Sequence, residues 1–157
     1  MTITKSLAIG LRLVRDAILA STDIQNFCIE QFGLTCQVQI GVDRANPPKL
    51  SDFPTIYFSI GARTRSQDFT QRQHAILEWV TAKVIQKTVN PGQSLELLAF
   101  DIIDQFANMV EALTLKTLKN AGYVIIPLTD GPHDEIVYPF AVISWPFEVS
   151  YQSRITF

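Results

Sequence analysis

The sequence has little cysteine, no surplus of positive charge and no long apolar run. Its two cysteines, Cys28 and Cys36, are too few for a disulfide scaffold. Thirteen basic and fifteen acidic side chains give a net charge of −2, whereas a dedicated nucleic-acid binder usually has a strong basic surplus. No segment reaches the roughly 18 consecutive apolar residues of a membrane span, and Arg12, Arg15 and Asp16 interrupt the apolar start, which argues against a signal peptide. We therefore expect a chain kept in a reducing cytosol, where a disulfide between the two cysteines is disfavoured.

The remaining composition indicates one folded domain. Apolar residues make up 47% of the chain and charged residues 18%, which excludes a disordered or low-complexity protein. The length suits a single domain covering residues 1–157, and the sequence shows neither an internal repeat nor a linker.

The N-terminal part has the pattern of two helices. Apolar spacing predicts an amphipathic helix over residues 5–20, with Thr4 as its N-cap, and a second helix over about 23–32 that stops at Gly33. The apolar stripe of the first helix consists of Leu7, Leu11, Val14 and Ile18.

Alternating apolar residues and turn residues predict strands in much of the rest of the chain. The predicted strands cover residues 36–42, 55–61, 74–87, 123–128 and 140–152, and the predicted loops cover 43–54, 62–72 and 129–139. Residues 74–87 also have the spacing of a helix face. We interpret them as a strand because they follow a strand and make its simplest hairpin partner. Pro146 cannot donate to a ladder, so the last strand should lie at an edge or carry a bulge there.

The clearest helix spans residues 94–119, with Ser94 as its cap. One of its faces is apolar, and the other carries three acidic residues, Asp101, Asp104 and Glu111, which we call the acidic face. Leu97 and Leu115 fall among these polar residues, where a protein that functions alone would seldom place leucine.

The order of these segments predicts an α+β domain. Strands that follow each other directly in the chain tend to pair antiparallel. We expect one mainly antiparallel or mixed sheet of about five strands, with the long helix and the N-terminal helices packed on it.

The sequence lacks the residue patterns of catalysis and of metal or cofactor binding. It contains neither a phosphate-binding glycine loop nor a nucleophile elbow. His74 starts a predicted strand and His133 lies in a predicted turn, while Cys28 and Cys36 lie on apolar faces, where a buried structural role is commoner than a thiol site. We therefore expect no catalytic residue, no metal, no cofactor and no enzymatic activity.

A basic segment is the other unusual feature. It consists of residues 62–72 with Arg63, Arg65 and Arg72, and Phe69 places a large apolar group near the tip of the predicted loop. Such a group favours a protein interaction site over a platform for nucleobases. Together with the two leucines on the polar helix face, it indicates an interaction or assembly protein.

Five segments follow one another in a characteristic order. They are the first helix LAIGLRLVRDAIL (7–19), the strand and loop FPTIYFSIGARTRSQ (53–67), its partner HAILEWVTAKVIQK (74–87), the long helix 94–119 and the closing strand YPFAVISWPFEVSYQ (138–152). In this order the chain resembles the tail terminator proteins of long-tailed bacteriophages, which are also called tail completion or tail-to-head joining proteins. The resemblance covers nearly the whole chain and is one of architecture, without a diagnostic motif.

The resemblance implies a structural protein of the virion tail or neck, assembled in the cytoplasm of a host bacterium. Tail terminators form a hexameric ring on the head-proximal end of the tail tube, stop its polymerisation and offer a surface to the neck. The implied partners are further copies of the chain in a homohexamer, the tail tube protein and a neck or connector protein. Neither a membrane nor a specific nucleic acid is among them.

A closed ring needs two different, complementary patches on each subunit. The acidic face and the basic segment are opposite in charge and could meet between neighbours, with Leu97 and Leu115 supplying apolar contact. The basic segment could equally point along the ring axis toward the tube. Three other functions stay open: another phage neck or tail ring component such as a head-closure or tube protein, a cellular α+β protein-binding module, and an enzyme of unrecognised type.

Overall fold

A computed structural model of the protein describes residues 2–3, 5–41, 45–46, 54–65, 73–85, 95–127, 133–137, 140–152 and 155–156. In these ranges three helices and eight strands follow one another. They are β1 (Thr2–Ile3), α1 (Leu7–Ala20), α2 (Thr22–Phe32), β2 (Gln37–Ile40), β3 (Thr55–Arg65), β4 (Gln73–Ile85), α3 (Leu95–Asn120), β5 (Val124–Pro127), β6 (His133–Val137), β7 (Phe140–Gln152) and β8 (Ile155–Thr156).

The two N-terminal helices begin at serine caps. The Ser6 hydroxyl accepts a hydrogen bond from the Ile9 amide at 3.2 Å, so the helix starts two residues later than predicted and Thr4 is not its cap. The Ser21 hydroxyl caps α2 in the same way by accepting from the Ile24 amide. As predicted, α2 ends at Gly33, whose φ of 76° is a left-handed conformation that glycine adopts without steric cost.

The strands form two separate sheets. Six strands make the larger one, in the order β2-β3-β4-β7-β5, with β6 also paired to β7. β2 and β3 are parallel, whereas every other pair in this sheet is antiparallel. β1 and β8 form an antiparallel pair of their own. The protein therefore belongs to the α+β class, but its strands do not form the single sheet of about five strands that the sequence predicts.

The hairpin of β3 and β4 is longer than predicted. The predicted strand at residues 74–87 is confirmed over residues 74–85, the part that the structure describes, and β3 continues through the first part of the basic segment instead of ending at residue 61. Arg63 pairs in register with Ile76 and Arg65 with His74, after an irregularity between Ile60 and Arg63. Polar sequence misled the prediction here, because backbone pairing within a hairpin continues without apolar side chains.

β7 is not the edge strand that Pro146 predicted, but Pro146 itself pairs on one flank only in the described part of the sheet. β7 pairs with β4 along its whole length, and Trp79 stands opposite Pro146. On the other flank, β6 pairs with residues 140–144 of β7 and β5 with residues 147–150. The missing amide of proline is tolerated because Pro146 falls where β6 has ended and β5 has not begun.

The core lies between the helices and the central strands. α1 and α3 pack on each other, and α3 also packs on β7 and β5. Phe106 of α3 stacks on Phe27 of α2 at 6.3 Å between ring centroids and meets the Phe32 ring edge-on at 6.0 Å. The predicted stripe of α1 is fully buried in this core, and Ile56, Phe58, Phe147 and Val149 join it from the strands.

Candidate interaction surface

The acidic face of α3 has two exposed carboxylates. Asp101 and Asp104 are exposed, Glu111 is partly buried, and the three residues lie within about a quarter of the helix circumference at 3.6 residues per turn. The opposite side of α3 is buried, with Ile103, Phe106 and Val110 in the core. Within the described residues none of the three carboxylates forms an ion pair.

Partial burial makes the ionised form of Glu111 less favourable. Partial burial raises the pKa of its carboxyl above the ordinary value of 4.5, because ionisation is less favourable where water is excluded. A cation placed against this carboxylate would offset that cost. Glu111 is thus the residue of the acidic face that gains most from a basic partner.

An apolar groove adjoins the acidic face at the end of α3. Its volume is about 320 Å³, and it is lined by Leu115 and Lys119 of α3 and by Tyr123, Val124 and Ile125 at the start of β5. Leu115 is 39% exposed and Val124 is 60% exposed, although both are large apolar side chains. Leu115 is therefore not an isolated leucine among polar residues, since Val124 extends the apolar surface across to the sheet.

The structure describes the other predicted interface residues only in part. Arg63 and Arg65 lie on β3, within a paired strand and not in the predicted loop. Their side chains and that of Leu97 are outside the described part of the structure, and Phe69 and Arg72 lie outside the described residues altogether. Contact between the basic segment and the acidic face of a neighbour therefore stays a prediction.

A second exposed apolar pair was missed from the sequence. Ile9 and Leu13 on α1 are 38% and 43% exposed, and they lie one turn apart on the side of α1 away from the core. The signal was present, because both residues fall outside the stripe that forms the core. The prediction considered only one apolar stripe for each helix and therefore overlooked the second one.

Residues with possible chemistry are not gathered into a site in the described ranges. No three His, Cys, Asp or Glu residues there lie close enough together to hold a metal ion. His74 is near the start of β4, as predicted, whereas His133 begins β6 and does not lie in a turn. Cys28 and Cys36 are buried free thiols, as predicted.

The sequence comparisons identify no relative of this chain. No protein-family model matches the chain, and no curated protein is significantly similar to it in sequence. Among the described helices, none is both long enough and apolar enough to span a bilayer.

Proposed function

We propose that this protein is a tail terminator of a bacteriophage, a structural virion protein that forms a ring on the head-proximal end of the tail tube. The observation that carries the proposal is the order of the elements. α1, β2, the long β3–β4 hairpin, the 26-residue helix α3 and the closing strand β7 follow one another as in the tail terminators that the sequence resembles. The ring stops polymerisation of the tube and joins the tail to the neck.

The acidic face supports one half of a ring contact. Neighbouring subunits of a ring meet through two different patches, so that each contact leaves one patch open for the next subunit. Asp101 and Asp104 provide negative charge in the first half of α3, and the groove around Leu115 and Val124 provides apolar surface about three turns further along the helix. The basic segment of the neighbour provides the opposite charge.

Termination is then a matter of surface complementarity. One face of the ring matches the last ring of the tube, and the opposite face does not, so no further tube subunits add. The same opposite face is left for the neck protein. The mechanism requires no covalent chemistry from the protein.

Paired charge reversals test the contact. The variant Arg63→Glu with Arg65→Glu and the variant Asp101→Lys with Asp104→Lys should each fail to form rings, because like charges then face each other between neighbours. Mixed in equal amounts, the two variants should restore a six-subunit ring in which they alternate. Light scattering after size exclusion measures the mass of each sample.

A matched control reverses two other exposed acidic residues, Asp16 on α1 and Glu30 on α2, to lysine. This variant should form rings as the wild type does. If the wild type forms rings and both interface variants do as well, the patches are wrong and the proposed function survives. Wild-type protein that grows into tubes would indicate a tube protein, and a wild-type monomer that binds a cellular partner would indicate a binding module.

A further inference from the structure

The two cysteines are held against each other by the packing of α2 and β2. Cys28 lies on the buried side of α2, and Cys36 immediately precedes β2; their exposed fractions are 0% and 2%. The Gln25 side chain accepts a hydrogen bond from the Cys36 amide at 2.9 Å and donates one to the Ile18 carbonyl at 3.1 Å. Gln25 and Cys28 are three residues apart and so share one side of α2. Gln25 therefore fixes Cys36 beside Cys28.

The two thiols belong to the same buried core cluster. The Cys36 thiol donates a hydrogen bond to the Gln37 carbonyl at 3.4 Å. Interaction with the Cys28 side chain, together with burial, raises the pKa of the Cys36 thiol. Cys36 is thus protected from reaction while α2 and β2 stay packed, because the thiolate is the reactive form.

We propose that Cys28 and Cys36 are a latent disulfide, which closes within one chain when a small-molecule disulfide is the oxidant. The inference does not rest on the proposed function. It rests on two buried thiols in one core, with Cys36 held against the Cys28 side of α2 by the Gln25 hydrogen bond and only seven residues between the two cysteines in the sequence. The closed form ties the body of α2 to the start of β2.

The reaction is a two-step exchange with oxidised glutathione. One cysteine thiolate attacks a glutathione sulfur, a mixed disulfide forms and one glutathione leaves as a thiolate. The second cysteine thiolate then attacks the protein sulfur of the mixed disulfide, the Cys28–Cys36 bond forms and the second glutathione leaves. The two protons given up by the cysteines pass to the two glutathiones, so one disulfide is reduced for each one formed.

Burial determines the rate of closure. Glutathione reaches the pair only when the α2–β2 connection opens, so closure should be slower than the reaction of an exposed thiol and faster in mild denaturant. A protein assembled in a reducing cytosol and later carried outside the cell, as the proposed function implies, meets reducing and oxidising conditions in turn.

The test incubates the full chain with oxidised glutathione, removes the reagent, unfolds the protein and alkylates any remaining thiols. We expect both thiols to be lost, a protein mass lower by about two hydrogens with no glutathione attached, and a Cys28–Cys36 peptide after digestion. The thermal midpoint should rise by about 5–10 °C, from a closed loop of nine residues in a chain of this size. Dithiothreitol should reverse both changes.

Cys28→Ser and Cys36→Ser are the matched controls, and neither can lose its remaining thiol without gaining glutathione or a second chain. The wild-type result decides the inference even where a variant folds poorly. Two alkylatable thiols after prolonged oxidation, a stable glutathione adduct, or a dimer linked between chains would each overturn it.

Discussion

Gly10 lies where α1 closely approaches the end of α3 and the residues that follow it. A methyl group added at Gly10 would lie 2.9 Å from Tyr123 Cζ and 3.1 Å from Leu118 Cδ2. The Tyr123 ring cannot easily retreat, because its hydroxyl donates to the Ser6 carbonyl at 2.6 Å and its other side meets Tyr151 edge-on at 5.4 Å between centroids. Leu118 is fully buried. We therefore predict that Gly10→Ala destabilises the protein.

Two opposing effects set the size of the change. Within a helix, replacing glycine by alanine ordinarily stabilises by about 1 kcal/mol. Forcing a methyl group into a packed contact costs about 1–3 kcal/mol, and the two-sided anchoring of the ring favours the upper part of that range. The net loss should be about 1–2 kcal/mol, or about 2–8 °C in thermal midpoint for a chain of this size.

Thermal and urea unfolding measure the effect. Ala8→Gly, at an exposed position in the same helix, is the matched control for helix propensity and should cost about 1 kcal/mol. In a Leu118→Ala background, Gly10→Ala should lose only part of its cost, because the contact with the leucine is relieved while the closer contact with Tyr123 stays. A Gly10→Ala variant that is more stable than the wild type would refute the close approach.

Two further predictions concern single side chains. Glu111→Gln should leave stability nearly unchanged at low pH and increase it relative to the wild type as pH rises above 4.5, because the raised pKa means that the folded wild type loses stability as Glu111 ionises. Urea unfolding from pH 3.5 to 7 measures the difference in stability between the two proteins. A difference that does not grow with pH would contradict the effect of burial. Tyr123→Phe removes the hydrogen bond to the Ser6 carbonyl and should cost about 0.5–1.5 kcal/mol in thermal unfolding; no loss would show that this bond does not hold the start of α1.

The helices could be predicted because their signals are local. The stripe of α1 and the glycine after α2 mark their elements within a few residues, and the structure confirms both. The strand predicted at residues 74–87 is confirmed up to Ile85, where the described residues end, because its place after another strand outweighed its helical spacing. Local patterns were insufficient where pairing is long-range. β6 lies in a segment rich in turn residues, and Pro146 is tolerated inside the sheet only because two short strands share one flank of β7.

The candidate surface was predictable in part for the same reason. Leu115 could be identified from the polar residues around it on α3, and its exposure is confirmed. Val124 could not be identified in this way. Its exposure depends on β5 being the last strand in the order β2-β3-β4-β7-β5, which no local pattern reveals. The charge pairing between subunits requires knowledge of a second chain and stays a prediction.

The proposed ring is tested most directly by the molar mass of the purified wild-type protein in solution. Light scattering after size exclusion, over a range of protein concentrations and salt, should give about 106 kDa, six times the 17.6 kDa of one chain. Negatively stained images of the same fraction should show rings with a central hole. A mass of one chain at every concentration and salt, with no rings in the images, would contradict the proposal.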